Sequence, residues 1–357
     1  MVSVKPKVTR KTILLPIVGL AAFFLYIYLF QVDISDIIAT AQRADPMIYL
    51  AAILLSVVEV FFFALSWRSL IDFLQVKVSI VKSYLYVWYG IFIDTIIPAE
   101  SISGEVSRVY LVTREQSGTS GKVVASLVTH RLMGMSLNIA TLILGIGILL
   151  TEREVSALIF NLILSFLFAT TFFLILLLLL CFKKEWTLRI IDGLIRLIQL
   201  IGRGKWKLEK TRKQAKKAAT MFHDSMKEFR RTPKTLSISL FFLIISWIFS
   251  LSIPYLVFIA LRFPVQWSII LLTSPILLAI KSIPIGVPFE VGLPEITMTT
   301  LYTLLAIPPE VGATATILIR IVTLWLRFSI GFIAQQWLEL KPIVKNANAD
   351  NVRTEKT

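Results

Sequence analysis

The sequence has only one cysteine, Cys181, in 357 residues, which excludes an intrachain disulfide and a thiolate metal cluster. Its two histidines, His130 and His223, lie too far apart along the chain to suggest a metal site by their spacing. The motifs of P-loop nucleotide sites, dinucleotide sites, zinc proteases and serine hydrolases are also missing. The sequence therefore predicts no catalytic residue, no metal site and no cofactor site of these classes.

Charged residues are scarce as well, at 17% of the chain, whereas 56% of the residues are hydrophobic. This balance is typical of a polytopic membrane protein and excludes an ordinary soluble domain. The first apolar run, 13–30, follows a basic start but has no small-residue cleavage site, so we interpret it as a retained span. Cys181 lies at the end of a later span, where palmitoylation is one interpretation and a buried thiol is the one we expect.

The positive charge is concentrated in one segment of the chain. The net charge is +15. Residues 183–234 contain 16 Lys and Arg against 5 Asp and Glu, a net charge of +11. Beside membrane spans, such a segment indicates the cytoplasmic side and contact with anionic lipid headgroups rather than with nucleic acid. Within it, 186–201 is predicted to be an amphipathic helix in the membrane interface, and 205–231 a solvated basic helix.

Two proline-rich stretches interrupt the apolar runs at corresponding places. They share a proline and two glutamates in the same register: Pro98, Glu100 and Glu105 in the first, and Pro288, Glu290 and Glu295 in the second. An apolar helix with an arginine follows each stretch, and Arg131 and Arg320 lie 26 and 25 positions after the second glutamate. Interrupted hydrophobic segments at matching places in two halves indicate an internal repeat and a transport site. Two unrelated proline-rich loops are the alternative.

The apolar runs predict an all-α polytopic membrane protein with six full spans and two re-entrant helical hairpins, or eight spans if the hairpins are counted. The predicted spans are 13–30, 47–67, 123–150, 156–182, 235–261 and 312–337. The predicted hairpin arms are 83–97 with 105–113, and 267–280 with 296–306. Each half contains two spans, a hairpin and a span, and the first half starts inside whereas the second starts outside. The two halves therefore form an inverted-topology repeat.

This topology also predicts the domain organisation and the orientation. The predicted parts are a basic tail 1–11, a first repeat 12–155, a second repeat 156–338 that contains the insert 183–234, and a tail 339–357. Lysine and arginine are enriched on the side that holds both termini, which predicts a multi-pass plasma membrane protein with cytoplasmic N- and C-termini.

Ionisable side chains at membrane depth are rare and indicate functional sites. The candidate substrate-binding residues are those on or next to the two hairpins: Glu100, Glu105, Arg108, Arg131, Lys281, Glu290, Glu295, Arg320 and Arg327. Two interpretations remain open for them. Glu105 with Arg131 and Glu295 with Arg320 form buried structural pairs, or arginines in excess of those pairs bind a phosphate, whose oxygens suit a guanidinium.

Two further ionisable positions bear on this choice. Arg327 follows Arg320 by seven residues, so we expect both on one helix face, with Arg327 as the cation left without a partner. Glu59 lies inside the predicted span 47–67 and is either a site residue or one half of a buried ion pair.

The order and spacing of these residues resemble the flippase-like membrane domain family, which includes the N-terminal domain of lysylphosphatidylglycerol synthases and stand-alone archaeal and bacterial proteins. The positions that carry the resemblance are Pro98, Gly104-Glu105, Arg108 to Leu111, Arg131, Pro284, Pro288, Gly292, Glu295 and Arg320. The resemblance covers about residues 10–338 and implies translocation of lipid between leaflets, without an aminoacyl-transferase domain. Ser103-Gly104 stands where the family has paired glycines, and 287–294 is poorer in glycine than usual, which leaves the lipid substrate open.

Three functions fit these patterns. The favoured one is a lipid flippase-like transporter of a phospholipid or a polyprenyl-phosphate-linked lipid, because alternating access needs two similar halves. The second is a membrane-embedded transferase with a hairpin glutamate as general base. The third is a non-catalytic partner that recruits a lipid-linked glycosyltransferase through the basic insert. The expected partners are membrane lipids with anionic headgroups and a separate lipid-modifying enzyme, and not nucleic acid.

Overall fold

The computed structural model describes residues 34–97, 102–152, 154–201, 209–281 and 292–338, in which every regular element is a helix. The helices are α1 Ile34–Gln42, α2 Pro46–Phe73, α3 Ile80–Ile96, α4 Ile102–Glu115, α5 Ser120–Glu152, α6 Ala157–Phe182, α7 Lys184–Ile201, α8 Glu209–Arg231, α9 Pro233–Ala260, α10 Trp267–Lys281, α11 Leu293–Leu304 and α12 Pro309–Leu338. Within α12 the segment Ile321–Leu326 is π-helical.

Five of these helices, α2, α5, α6, α9 and α12, are long and apolar enough to cross a membrane. The shortest of the five has 26 residues, or about 39 Å of helix, against a hydrocarbon core of about 30 Å. They correspond to five of the six predicted spans. The remaining predicted span, 13–30, lies outside the described residues. The chain is therefore a polytopic helical membrane protein.

The predicted hairpin arms form helices that are too short to cross a membrane alone. Helices α3, α4, α10 and α11 have 17, 14, 15 and 12 residues. The longest is about 26 Å, which is less than the hydrocarbon thickness. The breaks that join the arms, 98–101 and 282–291, lie outside the described residues.

Local sequence signals account for where several helices begin. Asp45 precedes α2, and its carboxylate accepts hydrogen bonds from the backbone N–H groups of Met47 and Ile48 at 2.9 and 3.3 Å. Ser79 and Ser156 cap α3 and α6 in the same way. Such side chains satisfy the free N–H groups of a first turn, which has no carbonyl partners of its own.

Helices α2 and α9 form the centre of the bundle and run antiparallel. At one end the backbone N–H of Asp45 donates to the carbonyl of Ala260 at 2.7 Å. Further along, Ser66 and Ser239 each donate their hydroxyl to the other's carbonyl, at 2.8 and 3.0 Å, and both are fully buried. Small hydroxyl residues at a crossing let two membrane helices approach closely. Both helices begin with a proline and contain 28 residues.

The two hairpins pack against the span from the opposite half of the chain. Gly145 on α5 faces Leu271 on α10, where an added Cβ would lie 3.0 Å from the leucine Cβ. Gly331 on α12 faces α3, where an added Cβ would lie 2.6 Å from the carbonyl oxygen of Trp88. Glycine is needed at these crossings because the facing helix leaves no room for a side chain.

Helix α6 lies at the edge of the bundle. Only 6% of its most apolar window is buried, compared with 28–33% for the other four span-length helices. The almost purely aliphatic sequence of α6 fits this exposure, because an apolar surface suits contact with lipid. At its end, Cys181 is buried, as expected for a lone thiol.

The basic insert forms α7 and α8, and the prediction of a solvated helix over 205–231 is wrong for the described part of α8. One face of α8 is buried against α2, α5 and α6 through Phe222, Met226 and Phe229. The N-terminal turn of α5 contributes Gly121, where an added Cβ would lie 2.7 Å from the Cβ of Met221. Apolar residues spaced at three and four positions thus dock α8, while its opposite face carries the charges.

Candidate functional site

Glu295 connects the second hairpin to α12. One carboxylate oxygen accepts a hydrogen bond from the backbone N–H of Gly292 at 2.7 Å, three residues earlier. The other accepts from Arg320 Nε at 2.6 Å, and both side chains are more than nine-tenths buried. A glutamate at this position of a first turn caps a free N–H group, and an adjacent guanidinium offsets the cost of burying its charge. The predicted pairing of Glu295 with Arg320 is confirmed.

The corresponding pair in the first half is looser. Glu105 in the first turn of α4 lies 3.4 Å from Arg131 on α5, and the two side chains are 19% and 29% exposed. Arg131 follows Ser120, which begins α5, by as many positions as Arg320 follows Pro309, which begins α12. The predicted pairing of Glu105 with Arg131 is thus present, and the two pairs occupy matching depths in their helices.

A third buried pair joins α2 to α12. Arg327 Nη2 donates to Glu59 Oε2 at 2.9 Å, and its Nε donates to the hydroxyl of Ser56 at 3.0 Å. Ser246 on α9 donates its hydroxyl to the other oxygen of Glu59 at 3.3 Å. The expectation that Arg327 is a cation without a partner is therefore wrong. Of the two interpretations of Glu59, the structure shows the one in which it forms half of a buried ion pair.

The π-helical segment of α12 lies between Arg320 and Arg327. The two guanidinium groups bind carboxylates on different helices, Glu295 on α11 and Glu59 on α2. The prediction of a shared face assumed regular α-helical turns, whereas a π-helix changes the rotation per residue. Such segments inside α-helices are frequent at functional sites.

Arg108 is the most unusual cation among the described residues. Its side chain is buried on α4, and its guanidinium carbon lies 5.3 Å from the ring of Trp67 and 6.0 Å from the ring of Phe63. Its Nε and Nη1 atoms have no hydrogen-bond partner within the described part of the chain. Stacking on aromatic rings thus takes the place of a carboxylate contact at these atoms.

Asp94 holds the two arms of the first hairpin together, and sequence reasoning missed it. Its carboxylate accepts hydrogen bonds from the hydroxyl of Ser103 and from the backbone N–H of Gly104, both at 2.6 Å. An acidic residue at the end of an apolar arm is a signal that the sequence offered, since buried charges in such segments need partners.

The remaining predicted site residues lie at or beyond the breaks of the hairpins. Lys281 is the half-buried last residue of α10. Glu100 and Glu290 lie outside the described residues. The structure thus places Glu105, Arg131, Glu295, Arg320 and Arg327 in buried or half-buried ion pairs and leaves Arg108 on an aromatic surface.

A family model described as the lysylphosphatidylglycerol synthase TM region matches residues 16–331. The chain belongs to this family. The match includes all three glutamate–arginine pairs and both hairpins, so the candidate site lies within the family domain.

Two archaeal proteins are similar to this member of the lysylphosphatidylglycerol synthase TM region family along almost their whole length. A UPF0104 membrane protein of Pyrococcus horikoshii is 24% identical over 332 residues, which are 90% of this chain and 95% of that protein. A UPF0104 membrane protein of Methanocaldococcus jannaschii is 23% identical over 334 residues, or 92% of this chain and 95% of the relative. No solved structure matches the chain.

Proposed function

We propose that this chain moves a phosphate-bearing lipid, either a phospholipid or a polyprenyl-phosphate-linked lipid, between the two leaflets of the membrane. The observation that carries the proposal is the set of three glutamate–arginine pairs inside a largely apolar helix bundle. Charged groups at membrane depth are costly and concentrate along substrate pathways. Apolar side chains at these positions would often give the same or greater stability, so stability alone does not explain the charges.

The arrangement of the pairs supports an inverted repeat, which would supply the two similar halves that the proposed alternating access uses. Glu59 and Ser246 are hydrogen-bonded to each other, and they lie at equal distances along the chain from Pro46 and Pro233, which begin α2 and α9. Two antiparallel helices that meet at matching positions are what a two-fold axis in the membrane plane produces. Each hairpin glutamate pairs within its own half, whereas Glu59 with Arg327 joins the halves.

In this proposal the ion pairs are exchangeable. A lipid phosphate competes with a hairpin carboxylate for its arginine, so the charge of the headgroup is offset while it crosses the apolar bundle. The substrate-binding residues proposed for this path are Glu100, Glu105, Arg108, Arg131, Lys281, Glu290, Glu295, Arg320 and Arg327. The lipid tails stay in the bilayer, beside the exposed apolar faces of the hairpins.

The basic insert is proposed to contact anionic headgroups of the cytoplasmic leaflet of the plasma membrane, with both termini on that side. Asp192 on α7 accepts from Arg212 at 2.8 Å and lies 3.0 Å from Lys216 on α8, so the two helices are held side by side. These hydrogen bonds lower the pKa of Asp192, so its carboxylate stays charged and keeps both contacts. Trp186 and Ile190 on α7 are exposed, as in a helix whose apolar face enters a lipid interface.

Reconstitution tests the proposed transport directly. The purified full chain is placed in liposomes with tail-labelled fluorescent lipids that differ only in headgroup, and an impermeant reductant reports the fraction in the outer leaflet. We expect the protein to accelerate the equilibration of at least one phosphate-bearing lipid. We expect no comparable acceleration for a labelled diacylglycerol, which has no phosphate. Liposomes in which no phosphate-bearing lipid equilibrates faster than in protein-free controls would contradict the proposal.

A further inference from the structure

Arg108 differs from the arginines of the ion pairs in having buried hydrogen-bond donors that are not used. Arg320 Nε donates to Glu295, and Arg327 Nε donates to Ser56. Arg108 Nε and Nη1 are buried and have no partner within the described ranges, although the residue is only 7% exposed. Buried polar groups in native proteins almost always have a partner, so an acceptor is expected at this guanidinium.

Two aromatic rings and two glycines surround the guanidinium of Arg108, and we call this arrangement the slot. Trp67 and Phe63 on α2 hold the guanidinium from one side, at 5.3 and 6.0 Å from its central carbon. Gly90 of α3 faces the guanidinium, and a Cβ added there would lie 3.5 Å from Arg108 Nε. Gly90 in turn lies against Gly104, so two glycines on adjacent arms leave the guanidinium beside backbone instead of side chains.

A second unused polar group lies next to this slot. His130 on α5 is buried, and its ring meets Phe63 edge to face with 4.5 Å between centroids. Its Nε2 atom is buried without a partner among the described residues. Arg108 and His130 thus both contact one phenylalanine ring, and both have a polar atom for which the described chain supplies no partner.

The position of Arg108 along α4 connects the slot to the inner side of the membrane. Arg108 lies seven residues, or about 10 Å, before Glu115 at the end of α4, whose side chain is 40% exposed and binds Lys82. The opposite face of α4 presents Val106 and Tyr110, which are 60% and 58% exposed. A lipid at this helix has its headgroup against the bundle and its tails against an apolar surface.

We propose that Arg108 is the phosphate-binding residue of the lipid path, and that it accepts the headgroup phosphate on the inner side before any ion pair has to open. This inference rests on the proposed function. A phosphate supplies several acceptor oxygens, which suit donors on different edges of one guanidinium. The arginines already bound to carboxylates have to lose a partner before they bind a phosphate, whereas the Nε and Nη1 donors of Arg108 do not.

Binding of a single-chain phosphate tests the assignment without transport. Purified full-length protein in maltoside micelles is titrated with dodecyl phosphate, and intrinsic tryptophan fluorescence is recorded, since Trp67 stacks on the guanidinium. For Arg108→Gln we expect binding about 10-fold weaker or more, because a charge-assisted contact is lost. The matched control is Arg114→Gln, an exposed arginine on the same helix, which should bind within about 2-fold of the unaltered protein. Arg108→Lys keeps the charge but not the planar fork, and we expect an intermediate affinity.

Three outcomes would overturn the assignment. Equal affinity in Arg108→Gln and Arg114→Gln would mean that water alone occupies the slot. Inorganic phosphate that binds as tightly as dodecyl phosphate, with the same dependence on Arg108, would identify a free anion and not a lipid. Unchanged affinity in a folded Arg108→Lys variant, together with an Arg108→Gln variant that fails to fold, would assign Arg108 a structural role.

The liposome assay then separates this inference from the proposed function. If phosphate binding depends on Arg108 but the protein equilibrates no lipid, the phosphate site is supported and the proposed transport function is contradicted. If Arg108→Gln and the unaltered protein equilibrate lipid equally fast, transport is supported and Arg108 has no role in it. Loss of both binding and equilibration in Arg108→Gln, with neither lost in Arg114→Gln, is the result we expect.

Discussion

Glu59 on α2 and Arg327 on α12 form a buried ion pair at 2.9 Å between residues that are 268 positions apart in the sequence. Ser56 and Ser246 complete their hydrogen bonds. The pair joins the first predicted repeat to the last helix of the second. A change in the relative position of the two halves would therefore alter the geometry of this pair.

The first prediction concerns the stability of this pair. Glu59→Gln leaves Arg327 buried without a counter-charge, so we expect a loss of about 3–5 kcal/mol in the free energy of unfolding. Arg327→Gln should cost a similar amount, and the double variant less than the sum of the two, because the charges are removed together. Thermal or denaturant unfolding in detergent measures the three values.

A surface pair provides the control for that cycle. Arg189 and Glu185 on α7 are 3.9 Å apart and 77% and 85% exposed. Arg189→Gln should change stability by at most about 1 kcal/mol, because water screens exposed charges. Additive effects of Glu59→Gln and Arg327→Gln would contradict a direct interaction between the two side chains.

The second prediction separates structure from transport at Glu295 and Arg320. Glu295→Gln keeps a side chain that can accept from Gly292 but removes the negative charge beside Arg320 Nε, so we expect a large loss of stability. Glu295→Gln combined with Arg320→Gln should recover most of it. If the pair belongs to the lipid path, the folded double variant equilibrates no lipid in liposomes. If this double variant and Arg327→Gln both fold and both translocate lipid normally, the ion pairs have no part in transport.

The third prediction concerns the inverted topology. Ser117 lies in the turn after the first hairpin and Glu310 at the turn after the second, and both are exposed. In a Cys181→Ser background, cysteines placed singly at these positions should react with an impermeant thiol reagent from opposite sides of the membrane. Arg189→Cys lies in the basic insert, which the proposed topology places on the cytoplasmic side, and serves as the reference. Labelling of Ser117→Cys and Glu310→Cys from the same side would refute the inverted repeat.

The fourth prediction concerns the close approach of the hairpin arms. A Cβ added at Gly104 would overlap the carboxylate of Asp94 and lie 2.5 Å from the carbonyl oxygen of Gly90. Gly104→Ala should therefore destabilise the protein by about 1–3 kcal/mol, the usual cost of overpacking. Gly134→Ala on α5 is the matched control, since no atom lies within 4 Å of its added Cβ. That variant should be neutral or up to about 1 kcal/mol more stable, because alanine favours helix. Similar stability of the two variants would mean that the arms are not packed this closely.

The fifth prediction concerns the pH dependence of the docked insert. His223 on α8 is buried, and its Nδ1–H donates to the carbonyl of Cys181 at 2.9 Å. Burial lowers the pKa of His223 in the folded protein, which outweighs the opposite effect of that hydrogen bond. The unfolded chain, with a histidine pKa of about 6.5, then binds more protons as the pH falls, so the docked state loses stability below about pH 6.5.

Hydrogen exchange of the α8 backbone between pH 7.5 and pH 5 measures this effect after correction for the intrinsic exchange rate. His223→Gln keeps a donor for the carbonyl but does not titrate, so its α8 protection should vary less with pH. The pKa of Asp192, also in the insert, is lowered, so its contribution to stability is lost only as the pH falls below about 4. Equal pH dependence in His223→Gln and the unaltered chain would rule out His223 as the cause.

The span-length helices and the hairpin arms could be predicted because their signals are local. An apolar run of about 20 residues indicates a span wherever it stands, and proline with glycine interrupts a helix by removing donors and loosening the backbone. After each break an arginine follows the glutamate by 26 or 25 positions. This spacing predicted their pairing, because the two groups lie on consecutive helices. The buried face of α8 was missed, since the charges on the opposite face dominated its composition.

The amino-acid sequence alone was enough to establish that this chain is a helical membrane protein, that two short-armed hairpins interrupt it, and that acids and arginines lie at membrane depth. The tertiary structure was needed to decide which acid meets which arginine. Glu59 comes next to Arg327 through the packing of α2 against α12, and the arginines on the two sides of the π-helical segment bind carboxylates of different helices. Arg108 is left on Trp67 because no described carboxylate reaches its Nε or Nη1. Side-chain pairing between distant helices depends on their rotation and crossing, and these are properties of the packed bundle rather than of any local stretch.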